Sequence, residues 1–224
     1  MVQKRTRDGY LRRLLSFCGI SEGGGEHADI VAMYNRIEPK PRGYTATVKD
    51  PWCAIFLCAL AWDEGFRDWP MECSCTRIVE AAGDWGIWRG GWTDGAKHGQ
   101  WAVYDLSGDG NPDHIGCVVH SDGSEVWVVE GNYGNSVKVR RIKAGDPRVM
   151  GFVDLPYGEG IEAVYDTIEE VPEAYRDTIE HLIQRGALRG YGSPERLGLS
   201  EDLCRTLTVM MRVLRGTPLM NSEC

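Results

Sequence analysis

An α+β fold is predicted for this chain by three observations. Helical spacing of apolar residues dominates the first hundred positions. From Gln100 the texture turns to short β-branched and aromatic runs broken by turn clusters, and near Pro156 that texture ends. Helices first and an antiparallel meander after them describe one mixed domain over residues 1–156, followed by a linker over 157–164 and a small helical domain over 165–224.

The elements follow in order. Residues 8–19 (DGYLRRLLSFCG) set Tyr10, Leu11, Leu14, Leu15 and Cys18 at helical spacing, with Gly19 as the stop. A glycine-rich turn then leads into a second helix through HADIVAMYNRI. Its Gly-Gly-Gly lacks the Lys-Ser/Thr context of a phosphate loop. The stretch TVKDPWCAIFLCALAWDEG is the best-signalled helix. Asp50 is placed to cap it, Pro51 suits its first position and Gly65 suits its end, which puts Cys53 about three residues inside the cap. CTRIVEAAGDWGIW reads as helix to about Gly83. Strands are expected in GQWAVYDL, DHIGCVVH, SEVWVVEGN, SVKVRRI and RVMGFVDLP. In the last segment, Tyr175, Ile179, Leu182 and Ile183 form one helical stripe between Pro172 and Gly186. Leu203, Leu207, Met210, Met211 and Leu214 form another behind a Ser200 cap.

Composition excludes several functions. The chain has 224 residues and a net charge of −8, with no basic block, which argues against a nucleic-acid partner. No apolar run reaches the ~20 residues of a membrane span. The basic start lacks an apolar core and a cleavage site, so synthesis in a cytoplasm without a signal peptide is expected. Eight cysteines (18, 53, 58, 73, 75, 117, 204 and 224) in such a chain are expected to be reduced and mostly buried. Cys73-Ser-Cys75 is not a zinc spacing, and no second pair completes it.

Cys53 at a helix start could be a small core residue, a disulfide half, a metal ligand or a nucleophile. The positive helix end and its unpaired N–H groups favour thiolate. Cys58, in mid-helix, is expected in the core. His114 and His120 stand at the two ends of HIGCVVH. With a period of two they share a face with Gly116, which leaves room above the strand. Periodicity does not choose between them. Glu130 ends a hydrophobic strand as an inward-facing charge that needs a partner, and Asn132 returns to the same face. A thiol, an imidazole and a carboxylate are the parts of a nucleophilic triad. Asp105, Asp109 and Asp113, with Ser107 and Gly110, follow the start of a calcium-loop pattern, but Gly116 stands where that pattern needs Glu. Of the tryptophans, Trp52 is the one expected beside the site, where its face could stack on a sugar.

DPWCAIF, then GQWAVYDLSGDGNPDHIGCVV, then VVEGN together resemble the CHAP family, cysteine- and histidine-dependent amidohydrolases and peptidases of peptidoglycan, papain-like in fold and related to the NlpC/P60 group. The resemblance spans residues 10 to 155. It implies Cys53 as nucleophile, His114 rather than His120 as base, Glu130 as orienter and Asn132 as an auxiliary polar group. No cofactor is required by that chemistry, with calcium an option some relatives use. The tail resembles the short helical modules of clostridial-type phage lysins, which implies wall binding; a homodimer through its two helices is the other reading. The function implied is a phage or prophage endolysin. Its rivals are an antibacterial toxin or wall-remodelling hydrolase of the same chemistry, and a non-catalytic wall-binding protein.

Overall fold

The computed structural model describes residues 6–67, 69, 71–92, 95–157, 164–165, 167–188, 197 and 199–214. The chain divides into two compact units, Met1–Gly158 and Glu159–Cys224. Most of the 157–164 stretch read as a linker lies outside the described residues, as do the Ser200 and Leu214 side chains.

The first unit opens with α1 (Arg7–Leu15) and α2 (Gly25–Tyr34). The Thr6 hydroxyl caps α1 by accepting from Gly9 N–H at 3.1 Å. Next comes α3 (Cys53–Asp63), in which every residue from Cys53 to Ala61 is buried. A helix apolar all round has no face for water and must run through a core. It packs against α1, α2 and the sheet strand that carries His114. Gly65, at φ +90°, closes α3: its N–H reaches Trp62 O, and Phe66 N–H reaches Ala61 O at 3.0 Å.

The start of α3 differs from the expected one. Trp52 occupies the cap position without a side-chain capping bond, and the helix begins at Cys53. Asp50 is engaged elsewhere: its carboxylate accepts from Thr47 N–H at 2.6 Å, Thr47 Oγ1 at 3.0 Å and Tyr44 Oη at 2.9 Å. Preceding a proline, Asp50 is also steered away from helical backbone.

After α4 (Cys75–Asp84), capped by Ser74, come six strands: β1 (Trp88–Gly90), β2 (Trp101–Tyr104), β3 (His114–Ser121), β4 (Glu125–Glu130), β5 (Lys138–Lys143) and β6 (Val149–Val153). They form one antiparallel sheet in the order β1-β6-β2-β3-β4-β5. The unit is thus α+β. β1 is an addition to the expected set, three residues long and paired with β6. Ala102, Tyr104, Val118, Val126, Val128, Ile142, Val149 and Phe152 form a buried cluster against which Trp92 and Ala96 pack. Away from that cluster, Trp101 donates from Nε1 to Tyr10 Oη at 3.0 Å, and Tyr10 Oη donates to Leu57 O at 3.0 Å. This chain of bonds locks β2, α1 and α3 together.

The pairing of β3 with β4 slips between Val118 and His120. The strict alternation expected to carry His114 and His120 on one face is broken there.

The second unit holds a two-stranded pair, β7 (Val164–Tyr165) with β8 (Leu199–Ser200), and the helices α5 (Glu173–Gln184) and α6 (Glu201–Leu214). Val171, Ile179, Leu199, Cys204 and Leu207 make its buried core. No helix among the described residues is long and apolar enough to cross a membrane.

Candidate active site

Cys53 sits two positions closer to the helix end than expected, as the first helical residue after the Trp52 cap. The N–H groups of Cys53, Ala54 and Ile55 precede the first helical bond, from Phe56 N–H to Trp52 O. The thiol is nearly buried, at 4 % exposure, and its neighbours are the Cys75 thiol and His114. The two sulfurs lie 3.9 Å apart. The Cys75 thiol, the His114 imidazole and the Ala54 N–H together hold the Cys53 thiol well below its ordinary range, against the opposing effect of burial.

His114 is presented by the first residue of β3. The preceding loop is tied by its own carboxylates: Asp113 accepts from Leu106 N–H at 2.9 Å and Ser107 N–H at 2.8 Å. Asp105 accepts from Gly108 N–H at 2.6 Å and Gly110 N–H at 2.8 Å, and Asp109 from Asn111 N–H at 2.9 Å. These carboxylates are used internally, and no group of three or more metal-binding side chains occurs among the described residues. The loop with the calcium-like pattern is closed by these bonds to its own backbone. Its visible work is to fix where His114 begins.

His114 Nε2 stands 3.4 Å from Glu130 Oε2, an ionic contact looser than a well-formed hydrogen bond. The imidazole also shares a side-chain hydrogen bond with the Cys53 thiol. Burial pulls the imidazolium down, but Cys53 and Glu130 outweigh it and raise His114 to about 9. His120, at the far end of β3, lies tilted against Trp127 with ring centroids 4.9 Å apart, and burial lowers its pKa. The structure brings His114, and not His120, to Cys53 and Glu130.

Glu130 is fully buried. Burial pushes its carboxyl up, yet contacts with His114 and Arg140 leave it below the usual range. Arg140 is the residue that sequence reasoning missed. Its Nε and Nη2 each donate to Glu130 at 2.8 Å, a bidentate clamp. Tyr133 and Tyr104 flank the guanidinium, with ring centroids 4.3 and 5.0 Å from Cζ. The same two rings lie 5.9 and 5.8 Å from the His114 ring. A signal for Arg140 existed: in KVRRIK it shares strand parity with Ile142, which is core-facing.

Gly116 has a specific reason to be glycine. A Cβ there would lie 2.4 Å from Glu130 Cγ and 2.6 Å from Val128 Cγ1. Glu130 crosses the strand through the space of that missing side chain. Gly116→Ala is expected to cost ~1–3 kcal/mol by overpacking and to displace Glu130 from His114. Thermal unfolding and activity read together check this; an unchanged melting temperature with full activity would show that Glu130 does not depend on that gap.

Two expected site residues stand differently. Trp52 is fully buried, its ring 4.7 Å from His27 and its Nε1 donating to Glu22 Oε2 at 3.1 Å. It anchors the start of α3 and offers no face for stacking on a sugar. Asn132 lies beyond the end of β4 at φ +59°, so strand alternation does not extend to it.

Seven cysteines among the described residues are free thiols. Cys58 is core, as expected, its thiol donating to Glu72 O at 3.2 Å. Compared with family models, curated proteins and solved structures, the chain matches none.

Proposed function

We propose that this chain is a peptidoglycan hydrolase of the CHAP type, a papain-like cysteine hydrolase acting as a phage or prophage endolysin. One observation carries the reading. A helix-start thiol, depressed toward thiolate, adjoins an imidazole raised to about 9, and a buried carboxylate stands behind it. This is the constellation of acyl transfer by a thiolate–imidazolium pair.

Cys53 attacks an amide or peptide carbonyl of the wall's stem peptide. The tetrahedral oxyanion is met by free N–H groups at the start of α3, that of Cys53 foremost. His114 gives its proton to the leaving amine, and the acyl-enzyme forms. Water then attacks, with His114 as general base, and the thiolate returns. Glu130 holds the imidazole in orientation and stabilises its charge. The second unit is read as a wall-binding module, with dimerisation through α5 and α6 as the alternative. Co-sedimentation with purified walls, against the oligomeric mass in free solution, separates the two.

The test is loss of turbidity of Gram-positive cell walls. Wild type is expected to clear them and Cys53→Ala to leave them intact at matched folded concentration. Equal clearing by the two sinks the nucleophile assignment, and no clearing of any wall by wild type favours a non-catalytic binder. Mass spectrometry of the released muropeptides identifies the bond cut, muramoyl–L-alanine or one within the stem.

A further inference from the structure

Cys75 has no part in the hydrolysis just described, yet it touches the nucleophile. It is the first residue of α4, as Cys53 is the first of α3, so two helix starts aim their thiols at one another. Both side chains are buried, and the sulfurs are 3.9 Å apart. The start of α4 is held in place by Thr76 Oγ1 donating to Pro112 O at 3.4 Å, next to the loop that presents His114. Other buried thiols face oxygen instead: Cys58 donates to Glu72 O and Cys117 to Gly99 O.

We propose that Cys53 and Cys75 form a redox-active dithiol, a modification site at which a hydroperoxide closes a reversible disulfide. Its consequence for activity rests on the hydrolase reading; the disulfide itself rests on the geometry alone. In the first step the Cys53 thiolate attacks the O–O bond of a hydroperoxide. A sulfenic acid forms on Cys53, and the peroxide's other oxygen takes a proton and leaves as water or an alcohol. In the second step the Cys75 sulfur attacks the sulfenic sulfur, its proton leaves with the hydroxyl as water, and the S–S bond closes. The thiol pair has lost two electrons and the peroxide has gained them; a dithiol reductant returns them. Closure needs the sulfurs to move from 3.9 Å to bonding distance, ~2.05 Å, by side-chain rotation at both helix starts.

The order of events follows from charge. While Cys53 is a thiolate, its hydrogen bond and its charge hold the Cys75 proton on, and burial adds to this. Conversion of Cys53 to a neutral sulfenic acid removes the first two of those effects and frees Cys75 to react. The pair thus carries one nucleophile at a time, Cys53 before oxidation and Cys75 after it.

The experiment treats the full reduced chain with hydrogen peroxide, then alkylates it and maps its peptides by mass spectrometry. A Cys53–Cys75 linked peptide is expected, with loss of two hydrogens from the intact mass. Dithiothreitol is expected to restore alkylation of Cys53 and, with it, wall clearing. In Cys75→Ser the same treatment is expected to carry Cys53 on to sulfinic acid, which dithiothreitol does not reverse. The proposal is overturned if wild-type Cys53 goes to sulfinic acid without a linked peptide, or if Cys53 links to another cysteine. Peptide mapping needs no substrate, so a linked peptide in a protein that clears no wall rejects the hydrolase reading alone. Clearing without a linked peptide rejects the dithiol alone.

Discussion

Glu130→Gln is expected to lower kcat/KM for wall fragments by about 10²–10⁴-fold while the protein stays folded. The amide fills the same space but carries no charge to stabilise the imidazolium. The pH profile separates this from general damage. On the proposed reading the reactive pair is Cys53 thiolate with His114 imidazolium, so activity is expected to rise as Cys53 loses its proton, below the ordinary thiol range. It falls as His114 loses its own, at about 9. Glu130 is among the groups that raise His114. Without its charge the imidazolium is less favoured, and the basic limb moves to lower pH. A variant whose rate falls with the basic limb unmoved would show that Glu130 does not act through His114.

Arg140→Met is expected to destabilise the first unit by about 3–5 kcal/mol, the usual cost of stripping one partner from a buried ion pair. Glu130 would remain buried with only the looser His114 contact at 3.4 Å. The sign with pH can be worked out. The native Glu130 carboxyl lies below its ordinary value of 4.5, so its ionised form contributes stability above that value, and the contribution is lost as pH falls through the lower native one. Arg140→Met removes part of that contribution at neutral pH. Urea unfolding at pH 7 measures the loss. Arg140→Lys restores charge but not the bidentate fork, so partial recovery of stability is expected, with a displaced pH profile where Glu130 is less well aimed. Full stability in Arg140→Met would contradict the clamp.

Much of this arrangement was legible from the chain alone, for identifiable reasons. α3 announces itself by an unbroken apolar run, and β3 and β4 by β-branched stretches, the first opening on a His and the second ending in a Glu that does not belong in a core unless paired. Those are local signals. What escaped is relational. Arg140 matters because β5 lies beside β4 in a register that only the folded sheet defines. Cys75 matters because α4 starts where α3 starts, although 22 positions separate the two thiols. Trp52, expected beside the site, is fully buried. At a helix start the direction changes within one residue, and Trp52 turns into the core. Asp50 was read as a cap from its type and position, but three nearer donors had a stronger claim on its carboxylate. β1 is too short for any periodicity to register.

The β3 strand carries two histidines of opposite habit. A thiol and a carboxylate raise the pKa of His114 to about 9, whereas burial lowers that of His120, whose ring is tilted against the Trp127 indole. At pH 7 positive charge is therefore favoured at the His114 end of the strand and disfavoured at its far end. A polarity runs along a segment whose two ends are chemically the same residue. Neither imidazole needs a different side chain to do this; the choice of neighbours moves one pKa up and burial moves the other down.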